Sequence, residues 1–372
     1  MLKPRPFENA RKRCSRKQPQ IVGTVLEETC FEIVDPAGPP QKASGPESGG
    51  HPSHDGHLMR YKLAAWVLIF ACTVYGREKQ KDHFALANNY AAEGRWDQAI
   101  SEYLEALRLR PNYPEAHYNL GIALAAVGDF GGAEAEYRET LRLRPDFADA
   151  HNNLALVLAG RDQLDAAIGE FKEALRLKPD SLEAHYNLGN TLQQKGDLDG
   201  AISEYRNALR LKPDSAPIHE NLANALRAKG DLESAIGEYR NALRLDPKNA
   251  DVQFNLASAL DVSGNLNEAI DAYIRALQFD PSDAASHNNL GLELAEKGDL
   301  DRAITEFLNA LRLKPDYAKA HYNLGFAMEQ KGDLRTALTH YRIAYELDPS
   351  SSKYRTGYEK LLQNVNSRPQ KT

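Results

Sequence analysis

The sequence predicts an all-α protein: a right-handed α-solenoid of eight 34-residue helix–turn–helix units, closed by a C-terminal capping helix. Three observations predict it. Proline recurs at 111, 145, 179, 213, 247, 281, 315 and 349, each 34 residues after the last. Within each period two apolar stripes run at helical spacing with a turn between them. The 372 residues are 42% hydrophobic and 26% charged, an ordinary globular balance, and a period of this length marks stacked repeats.

Residues 1–58 come first. They open on basic residues (Arg11, Lys12, Arg13, Arg16, Lys17) and continue into PAGPPQKASGPESGGHPSHDGH. Such a composition buries too little apolar surface to offset chain entropy, so a disordered low-complexity segment is expected. His51, His54 and His57 have no supporting ligands nearby and read as linker rather than metal site.

Residues 59–76 differ. Arg60 and Lys62 lead into an apolar run from Leu63 to Val74, followed by charged REKQKD. The run is short for a bilayer of about 30 Å and suits the core of a secretory signal. Translation is then expected to start at Met59, with 1–58 upstream of it. Ile69-Phe-Ala-Cys72 resembles a bacterial lipobox, with Cys72 as the lipidated residue. Membrane association through residues 63–75 and export, periplasmic or lipoprotein-like in a bacterium, are the expectation. A buried helix leading into the repeats, and a cytoplasmic protein, is the alternative.

The eight units follow at 80–113, 114–147, 148–181, 182–215, 216–249, 250–283, 284–317 and 318–351. In the fourth, Ala184, Leu188, Gly189 and Leu192 share one helical face. Gly196 stops that helix because it tolerates positive φ. Asp197 follows as N-cap, and Ala201, Ile202, Tyr205, Ala208 and Leu209 form the second stripe. Pro213 ends it, with Asp180 or Asp214 available to cap the first helix of a unit. The third unit has Asp162 in the glycine slot, which predicts a weaker hairpin. Residues 352–372 hold the capping helix, with Tyr354, Tyr358, Leu361 and Leu362 on one face, and a short tail.

Leu188, Gly189, Leu192, Ala201, Tyr205, Ala208 and Pro213 make up a pattern that resembles the tetratricopeptide repeat, and the likeness spans all eight units. The His-x-Asn-Leu-Gly units also resemble the repeat region of O-linked N-acetylglucosamine transferase, whose catalytic domain has no counterpart here. The resemblance implies a concave groove lined by first helices and a protein or peptide ligand.

Two columns of residues carry the candidate chemistry. His83, His117, His151, His185, His219, His287 and His321 lie on the packing side, with Gln253 in unit six. Seven equivalents suit neither catalysis nor a metal, and neutral buried histidines are expected, so acid should destabilise the array. Asn119, Asn153, Asn187, Asn221, Asn255, Asn289 and Asn323 fall roughly 200° around the helix from the packing glycine. They are expected to form an amide ladder facing a peptide backbone, with Tyr118, Tyr186, Phe254 and Tyr322 gripping side chains. The null alternative is that each Asn satisfies the neighbouring hairpin.

Several classes are disfavoured. Residues 1–76 hold 10 Lys+Arg against 7 Asp+Glu, and the rest 36 against 45, so the acidic body argues against nucleic acid. The stripe Arg108, Arg142, Arg176, Arg210, Arg244 and Arg312 is diluted by Glu102, Glu136, Glu170, Glu204, Glu238 and Glu306, a solvated outer face. Cys14, Cys30 and Cys72 precede the units and form no CxxC pair. The aromatic slots contain no Lys, so a clamp for a C-terminal carboxylate is not expected. A non-enzymatic scaffold without cofactor or metal is expected; the alternative is a targeting subunit of a separately encoded enzyme such as a protein glycosyltransferase.

Overall fold

The structure, a computed structural model, describes residues 82–367. The readings made for 1–58, 59–76 and the extreme tail lie outside the described residues. Every described element is a helix. The chain divides into two compact bodies, one ending at Lys195 and one beginning at Gly196, so repeat four contributes one helix to each.

The first body holds α1 (82–92), α2 (Trp96–Leu109), α3 (Pro114–Ala126), α4 (Phe130–Leu143), α5 (Ala148–Gly160), α6 (Leu164–Leu177) and α7 (Leu182–Lys195). The second holds α8 (Leu198–Leu211), α9 (Ala216–Lys229), α10 (Leu232–Leu245), α11 (Ala250–Val262), α12 (Leu266–Phe279) and α13 (Ala284–Glu296). It continues with α14 (Leu300–Leu313), α15 (Ala318–Lys331), α16 (Leu334–Leu347) and α17 (Ser352–Ser367). Within each body, helices of one repeat pack most extensively on each other, then on the next helix in sequence. First helices of neighbouring repeats also touch: α3 on α5, α5 on α7, α9 on α11 and α13 on α15. This is the all-α solenoid packing that the period predicts.

The turns follow the predicted chemistry. Gly94, Gly128, Gly196, Gly230, Gly264, Gly298 and Gly332 all have positive φ, and Asp162 takes the same turn at φ 61°. After the turn, Asp129, Asp197, Asp231, Asp299 and Asp333 each accept a hydrogen bond from the backbone three residues on. The first helices are capped differently from expectation. Asp180 and Asp214 make no cap; Ser181 accepts from the Ala184 amide, while Asn249 and Asp283 cap α11 and α13. The cap must sit just before N1, one residue beyond where those aspartates lie.

The core runs between the paired helices. Each second helix supplies one aromatic ring with at most 2% exposure: Tyr103, Tyr137, Phe171, Tyr205, Tyr239, Tyr273, Phe307 and Tyr341. Burying each contributes roughly 1.5–3 kcal/mol. Gly121 lies so close to Tyr137 that a Cβ there would sit 2.6 Å from the ring. The capping helix α17 buries Tyr354 and Leu361, and Tyr354 lies 5.3 Å from the Tyr322 ring.

Candidate functional site

The histidine column is one half of a repeated clasp. His117 Nδ1 donates to Glu136 at 2.6 Å and its Nε2 donates to the Pro111 carbonyl at 2.8 Å. The same arrangement recurs at His151 with Glu170 and Pro145, His219 with Glu238 and Pro213, and His287 with Glu306 and Pro281. His83 reaches Glu102 at 2.5 Å, and His185 donates to the Pro179 carbonyl at 2.9 Å. One clasp ties the first helix to its own second helix and to the loop that ends the repeat before. The histidine's two partners sit 19 residues after it and 6 residues before it.

The geometry corrects the expectation of neutral histidines. For His117 and His151 the partners favour the charged ring, because a carbonyl only accepts and a carboxylate only accepts. For His117, burial alone would lower the pKa; the bonds to Glu136 and Pro111 outweigh it, and the value is raised. His151 is raised by the same balance, through Glu170 and Pro145. The sequence reading placed these glutamates on the solvated face, diluting the arginines. The arginines instead pair one step along: Arg108 with Glu105, Arg142 with Glu139 and Arg176 with Glu173.

The clasp is lost in two repeats, in different ways. Repeat six has Gln253 in the histidine position and Ala272 in the glutamate position. Repeat eight keeps His321 but puts His340 opposite, 3.0 Å away, with the rings stacked. Burial, then the neighbouring His321, lowers the His340 pKa. The 19-residue offset has a signal in the sequence, the paired loss of both partners in repeat six.

The asparagine column does not lie wholly on an open face. Asn119, Asn153, Asn187 and Asn323 are at most 7% exposed. Asn119 donates to Asn88 at 3.0 Å, Asn153 to the Tyr118 hydroxyl at 3.1 Å and Asn323 to Asn288 at 2.9 Å. Asn187 donates to Asn152 at 3.5 Å. These four fill the seam with the preceding repeat: a first helix is covered on a second side there, and that flank is closed rather than open. Asn221, Asn255 and Asn289 are half-buried. Asn289 donates to Tyr273, and Asn255 accepts from Arg227 at 3.4 Å.

Most of the aromatics are core as well. Tyr118 packs between Tyr137 and Phe147, and Phe254 packs on Tyr273; both are buried. Tyr322 is covered by α17, where Lys353 sits 4.5 Å over its ring. Tyr186 is half-buried on α7. Around repeat five, Glu220 on the same flank of α9 has its pKa raised by burial and then by Asp246. Among the described residues no group of three or more His, Cys, Asp and Glu could hold a metal ion. No described helix is long and apolar enough to cross a membrane.

Comparisons with known proteins agree with this geometry. Family models described as TPR repeat match residues 87–128, 191–226 and 291–332, and models described as Tetratricopeptide repeat match 121–181, 220–284, 318–351 and 170–203. Together they run from 87 to 351 with only 285–290 between them. A search of curated proteins returned no match. Among solved structures, YrrB, a TPR protein with an unusual peptide-binding site, is 22% identical with a TM-score of 0.46, over 50% of this chain and 95% of that one. MamA of Desulfovibrio magneticus RS-1 is 25% identical with a TM-score of 0.44, over 46% and 97%. PilF of Pseudomonas aeruginosa is 20% identical with a TM-score of 0.49, over 60% and 98%. The period, the helix-pair packing and the family matches agree: the chain belongs to the tetratricopeptide repeat family, whose arrays act as protein-interaction scaffolds.

Proposed function

We propose that this protein is a non-enzymatic scaffold that holds a peptide or protein partner along the first helices of its repeats, in the groove such arrays present. The observation that carries the reading is the half-buried polar row Asn221, Asn255 and Asn289, which escapes the burial of the other four asparagines. Amide groups there can both donate to and accept from a peptide backbone. Beside them Arg227 and Glu220 supply charge of both signs. Replacing Asn221, Asn255 and Asn289 together by Ala should reduce recovery of the native partner by affinity purification while circular dichroism stays helical. Undiminished recovery from a folded triple variant would move the site elsewhere.

Export or membrane anchoring through residues 63–75 is the accompanying proposal, supported by the basic lead and apolar run. Sequencing the N-terminus of the protein from its native cell tests it; an intact Met1 on soluble protein contradicts it.

A further inference from the structure

Repeat six departs from its sisters at several positions that converge in space. Gln253 and Ala272 replace the clasp. Arg275 stands where the other repeats have Glu105, Glu139, Glu173, Asn207, Asn241, Asn309 and Ile343. Gln278 replaces an arginine of the outer stripe, and Phe279 replaces a leucine found at that place in every other repeat. All five line one cavity of about 470 Å³, formed by α10, α11 and α12. Ala272 has a shorter side chain than the glutamate it replaces, and Gln253 carries no ring, so both changes leave room at this place.

The cavity has a definite chemistry. Gln253 forms its buried wall at 4% exposure, and its Oε1 is shut off from solvent with no hydrogen-bond donor among the described residues. Leaving such an acceptor unmet costs about 1–3 kcal/mol, so turning the Gln253 amide into the cavity to meet an N–H or O–H donor is favoured. Leu256 and Leu260 supply apolar wall, and Phe279, 43% exposed, stands at the rim. Three arginines face two carboxylates, Glu268 and Asp271. Arg240 is held by Glu268 at 2.6 Å and Arg244 lies 3.7 Å from Asp214. Arg275 has no hydrogen-bond or ion-pair partner among the described residues. In repeats one to three the glutamate at this place holds an arginine three residues on; here the sign is reversed.

We infer that this cavity is a peptide-binding site that takes an acidic residue next to an apolar one. The acidic side chain meets Arg275 and Arg244, a backbone N–H meets Gln253 Oε1, and the apolar side chain rests on Leu256, Leu260 and Phe279. The site is separate from the asparagine row of the first helices and stands or falls independently of it.

The test uses the full chain and a short fluorescein-labelled peptide alternating aspartate and leucine, with fluorescence anisotropy as readout. Saturable binding is expected, weakened at least about tenfold by Arg275→Glu, the residue of repeats one to three. The double variant Gln253→His/Ala272→Glu rebuilds a clasp the fold uses repeatedly, so it should fold and fill the cavity. It too should weaken binding about tenfold or more. A peptide with lysine for aspartate should bind at least about tenfold more weakly. No saturation up to about 1 mM, equal binding of the lysine peptide, or unchanged binding by both folded variants would overturn the inference.

Discussion

Replacing His117 by Ala removes one clasp, and the structure sets the size and pH dependence of the loss. The bond to Glu136 is charge-assisted at 2.6 Å with the histidine side chain 12% exposed. Hydrogen bonds to charged groups contribute roughly 1.5–3 kcal/mol. Glu136 is 24% exposed, so the lower half of that range applies. The freed Pro111 carbonyl can be hydrated and adds about 0.5–1 kcal/mol. The expected loss is therefore about 2–3 kcal/mol, and about 2 °C of melting temperature per kcal/mol for an array of this size gives about 4–6 °C. The fold raises the His117 pKa above its ordinary value of about 6.5. The folded state therefore binds the proton more tightly. The stabilisation is complete below the unfolded value and is lost as pH rises through the folded value. Melting curves by circular dichroism at about pH 6 and about pH 8.5 should show a large gap between wild type and variant at the lower pH and a small one at the higher. Equal gaps, or a larger gap in alkali, would refute the charged clasp.

Three further outcomes follow from local structure. Asp162→Gly relieves a left-handed residue at φ 61° and should stabilise the third hairpin by up to about 1 kcal/mol, read as a rise in urea midpoint. Asn153→Ala leaves the Tyr118 hydroxyl without its buried donor and should cost about 1–3 kcal/mol, while Asn221→Ala, half-buried, should cost less than about 1; chemical denaturation separates them. Ending the chain after Ser351 uncovers Tyr322 and removes Tyr354 and Leu361, so the truncated protein should melt earlier and associate in light scattering.

The fold was legible because its signals are local and repeated. The prolines fixed the period, and the glycine and aspartate at each turn carried their own backbone chemistry. The aromatic of each second helix was readable as core from spacing alone. The polar columns were harder. A helical wheel assigns Asn187 to the face opposite its partner helix, and it is silent on the preceding repeat, which covers that face. The histidines were legible as packing residues, and the raised pKa of His117 and His151 was not, because the carboxylates that cause it stand 19 residues away on another helix. The cavity of repeat six was legible only as a set of departures from the repeat, and those departures mean little until the clasp they replace is known.

The clasp is tested most directly by nitrogen-15 NMR of the histidine side chains at about pH 7, with His117→Gln and His151→Gln variants to assign the signals. His117 and His151 should each carry protons on both ring nitrogens more fully than the same rings do in the urea-unfolded chain, the signature of imidazolium held between a carboxylate and a carbonyl. A single protonated nitrogen on each ring, with the other unprotonated, would contradict it.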